Sequence, residues 1–134
     1  MRRIKTNRAL GRAITGAIIT ALVIKFFFFD LMIAEGHSML PAIKPGSLLL
    51  VCKVYYGIRL PGSGDYLTRW GVPKAGEVVV FYTPLGEIAV KRCKEILPGN
   101  QFIALGDNGS QSYDSLNYGP VSFNNIIGKV LGRK

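Results

Sequence analysis

A mostly-β chain, with one compact β-sheet domain behind a single N-terminal membrane-spanning helix, is the architecture this sequence predicts. Three observations predict it. An uncharged apolar run lies near the N-terminus behind a cluster of basic residues, short β-type runs follow it, and Pro/Gly turn chemistry separates those runs. At 134 residues and 49% hydrophobic, the chain is sized for one domain with one core.

The net charge of +9 raises nucleic acid as a partner, but the charge is unevenly placed. Arg2, Arg3, Lys5, Arg8 and Arg12 supply five positives before residue 13, leaving 12 Lys and Arg against 8 Asp and Glu, a balance of +4. No basic stripe with interleaved aromatics appears. No nucleic-acid partner is expected.

Ala13 to Ile24 is uncharged, and Lys25 and then Phe26 to Phe29 follow it. From Ala13 to Phe29 there are 17 residues, about 25 Å of helix and the short end of a membrane span. Lys25 can carry its ammonium to the interface on a long stem. Five positives before the span place the N-terminus in the cytoplasm by the positive-inside rule. The expected organisation is a cytoplasmic basic tail over 1–12, an anchor over 13–29 and an extracytoplasmic β-rich domain over 30–134. A cleaved secretory signal should end in a small-x-small site, and residues 25–36 lack a convincing one. A core helix should show a polar face, and Ala13 to Ile24 shows none.

Beyond Asp30, five runs read as strands: Leu48–Val54, Glu77–Tyr82, Ile88–Ile96, Gln101–Leu105 and Ile126–Leu131. Lys44-Pro45-Gly46, Leu60-Pro61-Gly62-Ser63-Gly64, Val72-Pro73-Lys74 and Leu97-Pro98-Gly99-Asn100 break them, since Pro fixes φ and Gly accepts φ > 0. No helical periodicity of useful length follows the anchor. Cys52 and Cys93 fall in predicted strands 41 positions apart, and read as small buried hydrophobes whose pairing the sequence leaves open. One His and no CxxC give a zinc site little support.

His37 adjoins Ser38 and is the sole histidine. In an extended segment consecutive side chains point to opposite faces, which disfavours a Ser-His pair. The remaining nitrogen base is lysine, as in Ser-Lys variants of the triad. A lysine accepts a proton only when neutral, so its pKa must fall from about 10.4 to about 7–8. A shift of about three units is roughly 4 kcal/mol of desolvation or like-charge repulsion. Lys91, following Ile88-Ala89-Val90 in a strand, fits that demand. Lys44, Lys74, Lys129 and Lys134 lie beside turns or near the chain end, and Lys53 and Lys94 are weaker competitors. Taken alone, Lys91 reads as a solvated strand lysine.

The residues gain meaning from their order. Gly36-His37-Ser38-Met39-Leu40-Pro41 is followed by Pro73-Lys74-Ala75-Gly76-Glu77 running into Val78-Val79-Val80-Phe81. Val90-Lys91-Arg92 comes next, then Gly106-Asp107-Asn108 through Ser112-Tyr113-Asp114-Ser115 to Gly119. This constellation closely resembles the type I signal peptidase family of Ser-Lys membrane endopeptidases, from the anchor to nearly the C-terminus.

The resemblance implies a signal peptidase-like β fold and cleavage of signal peptides from exported pre-proteins, with no metal or organic cofactor. Ser38 matches the nucleophile and Lys91 the general base, and the Ser38 N–H would be an oxyanion donor. Gly36 occupies the position where some relatives add a hydroxyl donor. Met39 lines the pocket beside the nucleophile, and Ser112 orients the lysine amine. Arg92 and Asp107 form an ion pair tying the GDN loop to the base strand. Asp114 matches too, but Leu116 stands where the family commonly has Arg, leaving the carboxylate's partner open. The substrate would add as a strand beside the residues preceding Ser38 and Lys91, with Gly36, Ala89 and Val90 along its path. Small side chains at the first and third positions before the cut are implied as well. Only 15 positions separate Lys91 from Gly106, where many relatives insert a β subdomain, so the chain looks like a minimal core. Expected surroundings are the plasma (inner) membrane, membrane lipid and the secretion translocon. Competing readings are a dedicated processing peptidase for a narrow set such as pilin-like subunits, a silent signal-peptide-binding relative, and a plain tethered β-domain.

Overall fold

The computed structural model describes residues 2–60 and 62–134, with side chains from Asn7 onward. The side chains of Arg2, Arg3 and Lys5, and Pro61 of the expected Leu60–Gly64 turn, lie outside the described residues.

Helix α1 spans Arg2–Phe27, longer at its start than the apolar run and shorter at its end. Arg, Ala and Leu at residues 8–12 are strong helix formers and carry the helix back through the basic segment. Its stretch Asn7–Phe27 is long and apolar enough to cross a membrane, and none of it is buried inside the chain. At 21 residues it measures about 31 Å, close to the hydrocarbon thickness of a bilayer. Its two threonine hydroxyls donate within the helix, Thr15 to Gly11 O and Thr20 to Gly16 O, each at 2.9 Å. In an apolar medium such back-bonding removes two unpaired donors. The helix stops because Phe29 joins a strand instead. Lys53 Nζ donates to Phe26 O at 2.5 Å and Lys53 N to Phe28 O at 2.8 Å, which satisfies carbonyls the helix end would leave orphaned.

The rest is a curled seven-stranded antiparallel sheet with the order β1-β2-β9-β5-β6-β7-β8. Its strands are β1 (Phe29–Ile33), β2 (Leu48–Cys52), β5 (Val78–Tyr82), β6 (Ile88–Leu97), β7 (Gln101–Leu105), β8 (Val121–Ser122) and β9 (Ile126–Arg133). The hairpin β3 (Gly57–Arg59) and β4 (Tyr66–Arg69) stands apart as a second, two-stranded sheet. The five expected strands are present as β2, β5, β6, β7 and β9. Four were not foreseen. β1 hides inside the apolar continuation of the anchor, and β3, β4 and β8 have two to four residues each, too few for a period to register. A four-residue helix, α2 (Ser115–Tyr118), lies in the loop after β7.

Two cores form, one on each face of the sheet. Val79 and Phe81 of β5 enter a cluster with Cys93, Phe102, Val121 and Ile126, while Val80 between them packs with Met39, Ile43, Leu49 and Val51. Strand alternation therefore explains the unbroken Val78-Val79-Val80-Phe81 run, because both faces of β5 are covered. Cys52 and Cys93 are buried free thiols. Burial pushes the Cys93 thiol up to about 11.

Phe102 is fully buried at the centre of the first core, with Phe81 edge-on at 5.6 Å and Phe123 at 6.2 Å between centroids. Phe102→Ala should lower unfolding free energy by about 3–5 kcal/mol. Urea unfolding of the detergent-solubilised chain measures it; a loss below about 1 kcal/mol would contradict this packing.

Candidate active site

Three segments meet around Ser38: the turn after β1, the middle of β6 and the loop after β7. Ser38 sits on the turn, not in a strand, so backbone alternation does not explain the exclusion of His37. Position does. His37 is exposed, and no hydrogen bond of its ring is found among the described residues. Gly36 turns the chain with φ +74°, a conformation that disfavours any side chain there. Met39, only 5% exposed, and Ile43, 2% exposed, pin the turn into the second core. The backbone bond from Ile43 N to Met39 O at 2.8 Å closes it.

Lys91 reaches Ser38 from β6. Alternation places it in line with Ala89 and Cys93 on the face covered by the first core, opposite Val79 of β5. It is 6% exposed, and its Nζ donates to Ser38 Oγ at 2.7 Å. Lys94 is exposed, and Lys53 is committed to the end of α1. Burial depresses the Lys91 pKa below the ordinary lysine value, and the negative charge of Asp114 pulls part of the way back. The amine is therefore biased toward its neutral, proton-accepting form.

The loop after β7 holds both partners in place. Asn108 N donates to Ser38 O at 2.8 Å, and Asn108 Nδ2 donates to His37 O at 3.1 Å, so one residue clamps the nucleophile turn twice. Arg92 makes a bidentate contact with Asp107, Nε to Oδ1 at 2.8 Å and Nη2 to Oδ2 at 2.7 Å. Arg92 Nη1 also donates to Gly76 O at 2.7 Å. The loop is thereby tied to the strand carrying Lys91. Gly106 passes so near the turn that a Cβ would lie 2.6 Å from Ser38 O and collide with the Ser112 side chain. No larger residue fits without moving Ser38 or Ser112.

The Ser112 hydroxyl donates to Asp114 Oδ2 at 2.5 Å, and no hydrogen bond between Ser112 and Lys91 is found among the described residues. Asp114, 2% exposed, also accepts from Gly106 N at 2.9 Å and from Leu116 N at 3.1 Å. Burial alone would raise its pKa, but these donors and the Lys91 charge outweigh burial and hold it below the usual carboxylate range. The partner left open by Leu116 is thus a set of three local donors, with the Leu116 side chain 81% exposed. Asp114 N in turn donates to Asn117 Oδ1 at 3.0 Å, and Ser115 Oγ accepts from Ala104 N at 2.9 Å, fixing α2 against β7.

Asn108, Gly106 and Ser115 carried no assigned roles in the sequence reading. Only their places in the GDN and Asp-Ser segments signalled them. Beside the Ser38–Lys91 contact lies a groove of about 400 Å³, walled on one side by Met32 to Gly36 and on the other by Ile88 to Val90. Met39 and Tyr113 border its end. The β1 edge facing away from β2 carries no strand, and β7 pairs with β6 only from Arg92 onward. The groove thus lies beside unpaired backbone. Among the described residues, no group of three or more His, Cys, Asp or Glu could hold a metal ion.

Residues 7–94 match the family model for signal peptidase, peptidase S26. Among similar proteins, signal peptidase I of Buchnera aphidicola is 34% identical over 63% of this chain and 27% of its own length. Signal peptidase I of Bacillus caldolyticus is 26% identical over 85% of this chain and 84% of its own. Signal peptidase I of Pseudomonas aeruginosa is 32% identical over 67% of this chain and 32% of its own. The chain therefore spans about a third or less of two of these relatives and most of the third. With two thirds of its length under one family model, the chain belongs to the signal peptidase family, peptidase S26.

Proposed function

We propose that the chain is a membrane-anchored serine endopeptidase that removes signal peptides from exported precursors, with Ser38 as nucleophile and Lys91 as general base. The carrying observation is the 2.7 Å contact between Ser38 Oγ and an amine that is 6% exposed. That distance is within proton-transfer reach, and the burial lowers the lysine pKa in the direction a base needs.

In the proposed cycle, neutral Lys91 takes the Ser38 proton as Oγ attacks the scissile carbonyl carbon. The developing oxyanion faces the Ser38 N–H, for which no partner is found among the described residues. Lys91, now an ammonium, returns its proton to the leaving amine as the C–N bond breaks. Water then attacks the acyl-enzyme, Lys91 taking its proton and passing it to Ser38 Oγ as the ester opens. Asp114 stabilises the transient ammonium, and Ser112 orients Asp114. Substrate lies extended in the groove beside β1 and β6, so its backbone finds unpaired strand edges. Gly36, Ala89 and Val90 border that path, and Met39 closes the floor beside Ser38. The three donors on Asp114 support an active centre over a silent one despite Leu116.

The proposed topology is a cytoplasmic basic N-terminus, a span within Asn7–Phe27 in the inner membrane and the domain from Phe29 outside. The positives at residues 2, 3, 5, 8 and 12 support that orientation. Membrane lipid around α1 and the translocon that delivers precursors are the proposed neighbours.

Ser38→Ala and Lys91→Ala should each reduce precursor cleavage on the order of 10⁴-fold, while Lys94→Ala changes it less than about twofold. Retained cleavage in Lys91→Ala would refute the dyad. The kcat/KM profile should rise with pH through the depressed lysine pKa, so its acid limb lies well below about 10.4. Asp114→Asn removes the charge favouring the ammonium, so that limb should move to lower pH as overall activity falls. A limb that stays put or moves upward contradicts the assigned coupling.

A further inference from the structure

The catalytic groove continues away from Ser38. Met32 and Ile88 line both it and a larger hollow of about 780 Å³, bounded by the end of α1, the β3–β4 hairpin and the start of β6. Phe26, Phe28, Ile58, Leu60 and Tyr82 wall this second hollow. Each is substantially exposed, from 40% for Ile58 and Tyr82 to 61% for Phe26. Contiguous exposed apolar surface of this kind marks a binding site.

The charges at its rim argue for an apolar occupant rather than an anion. Lys53 is bound to Phe26 O, and its Nζ lies 5.2 Å from the Phe26 ring centroid. Arg59 bridges Ile126 O at 2.7 Å and Gly64 O at 2.8 Å, stacked 5.4 Å from Tyr66. Both cations are committed to carbonyls, and Asp30 adds a negative charge. A phosphate headgroup finds no ready seat there.

Length supplies the register. Three strand steps separate Lys91 from Ile88, about 10 Å at roughly 3.3 Å per residue. An extended substrate thus fills the catalytic groove with three or four residues and then reaches the second hollow. Because the end of α1 forms its wall, the segment entering it is the one still tied to the membrane, on the amino side of the cut.

We infer that this hollow is an extended subsite seating apolar residues from about the fifth position before the scissile bond. The inference rests on the peptidase reading for its direction, and supplies an affinity separate from the small-residue selection beside Ser38.

The test uses the full chain in detergent, carrying Ser38→Ala so that binding is read without cleavage. Two labelled peptides span the same cut, one with four residues before it and one with four further leucines upstream. The longer should bind at least tenfold more tightly. Adding Ile58→Asp should shrink that ratio below about threefold, whereas adding Ile58→Leu preserves it. Ile58 is 40% exposed, so aspartate is tolerated there, and circular dichroism checks the fold. An equal affinity for both peptides overturns the subsite. So does a length preference that survives Ile58→Asp, which would place the leucines in detergent or lipid. Cleavage by the Ser38 chain is measured alongside; no cleavage with the length preference intact would count against the peptidase reading alone.

Discussion

Every feature of the site depends on holding one amine out of water beside a hydroxyl. Lys91 emerges from a strand whose neighbours on the same face, Ala89 and Cys93, belong to the first core. Loss of hydration penalises its ammonium form, and in the proposed mechanism that penalty is what lets the amine act as a base. Asp114 opposes the effect. Such opposition suits a catalyst that must both accept a proton and release it, because a base too weak or too strong fails one half of the cycle. His37 stands exposed beside Ser38.

Burial alone does not set a 2.7 Å contact between residues 53 positions apart. Position comes from the loop after β7, which grips the Ser38 turn through Asn108 and the Lys91 strand through Asp107. The Arg92–Asp107 side chains are 34% and 18% exposed, so that pair contributes under about 1 kcal/mol to stability. Its value is geometric: a bidentate fork fixes orientation as well as distance. Misplacement of reacting groups by about 1 Å can cost about 10²-fold in rate, which explains why weak contacts accumulate here.

The legible parts of the sequence were those with a long local signal. The apolar run, the five longer strands and the Arg92–Asp107 match could be read because period, length or motif order carried them. β1 escaped because an apolar strand directly after an apolar helix has no boundary of its own. β3, β4 and β8 were too short. The Ser112–Asp114 hydrogen bond depended on side-chain distances that spacing does not encode. Asn108 looked like turn chemistry, and only the turn it clamps reveals its part. Placing Ser38 in a turn changed the reason for setting His37 aside.

Met32 and Ile88 line both the groove beside Ser38 and the hollow at the end of α1. Under the proposed function, a substrate rooted in a bilayer would reach Ser38 in extended form along them. The neutral lysine is the claim most open to direct measurement. Titration of ¹⁵N-labelled lysine side chains by NMR in detergent should show one Nζ signal shifting well below the ordinary lysine range, absent in Lys91→Met. If every lysine titrates near about 10.4, the amine is solvated and cannot serve as the base.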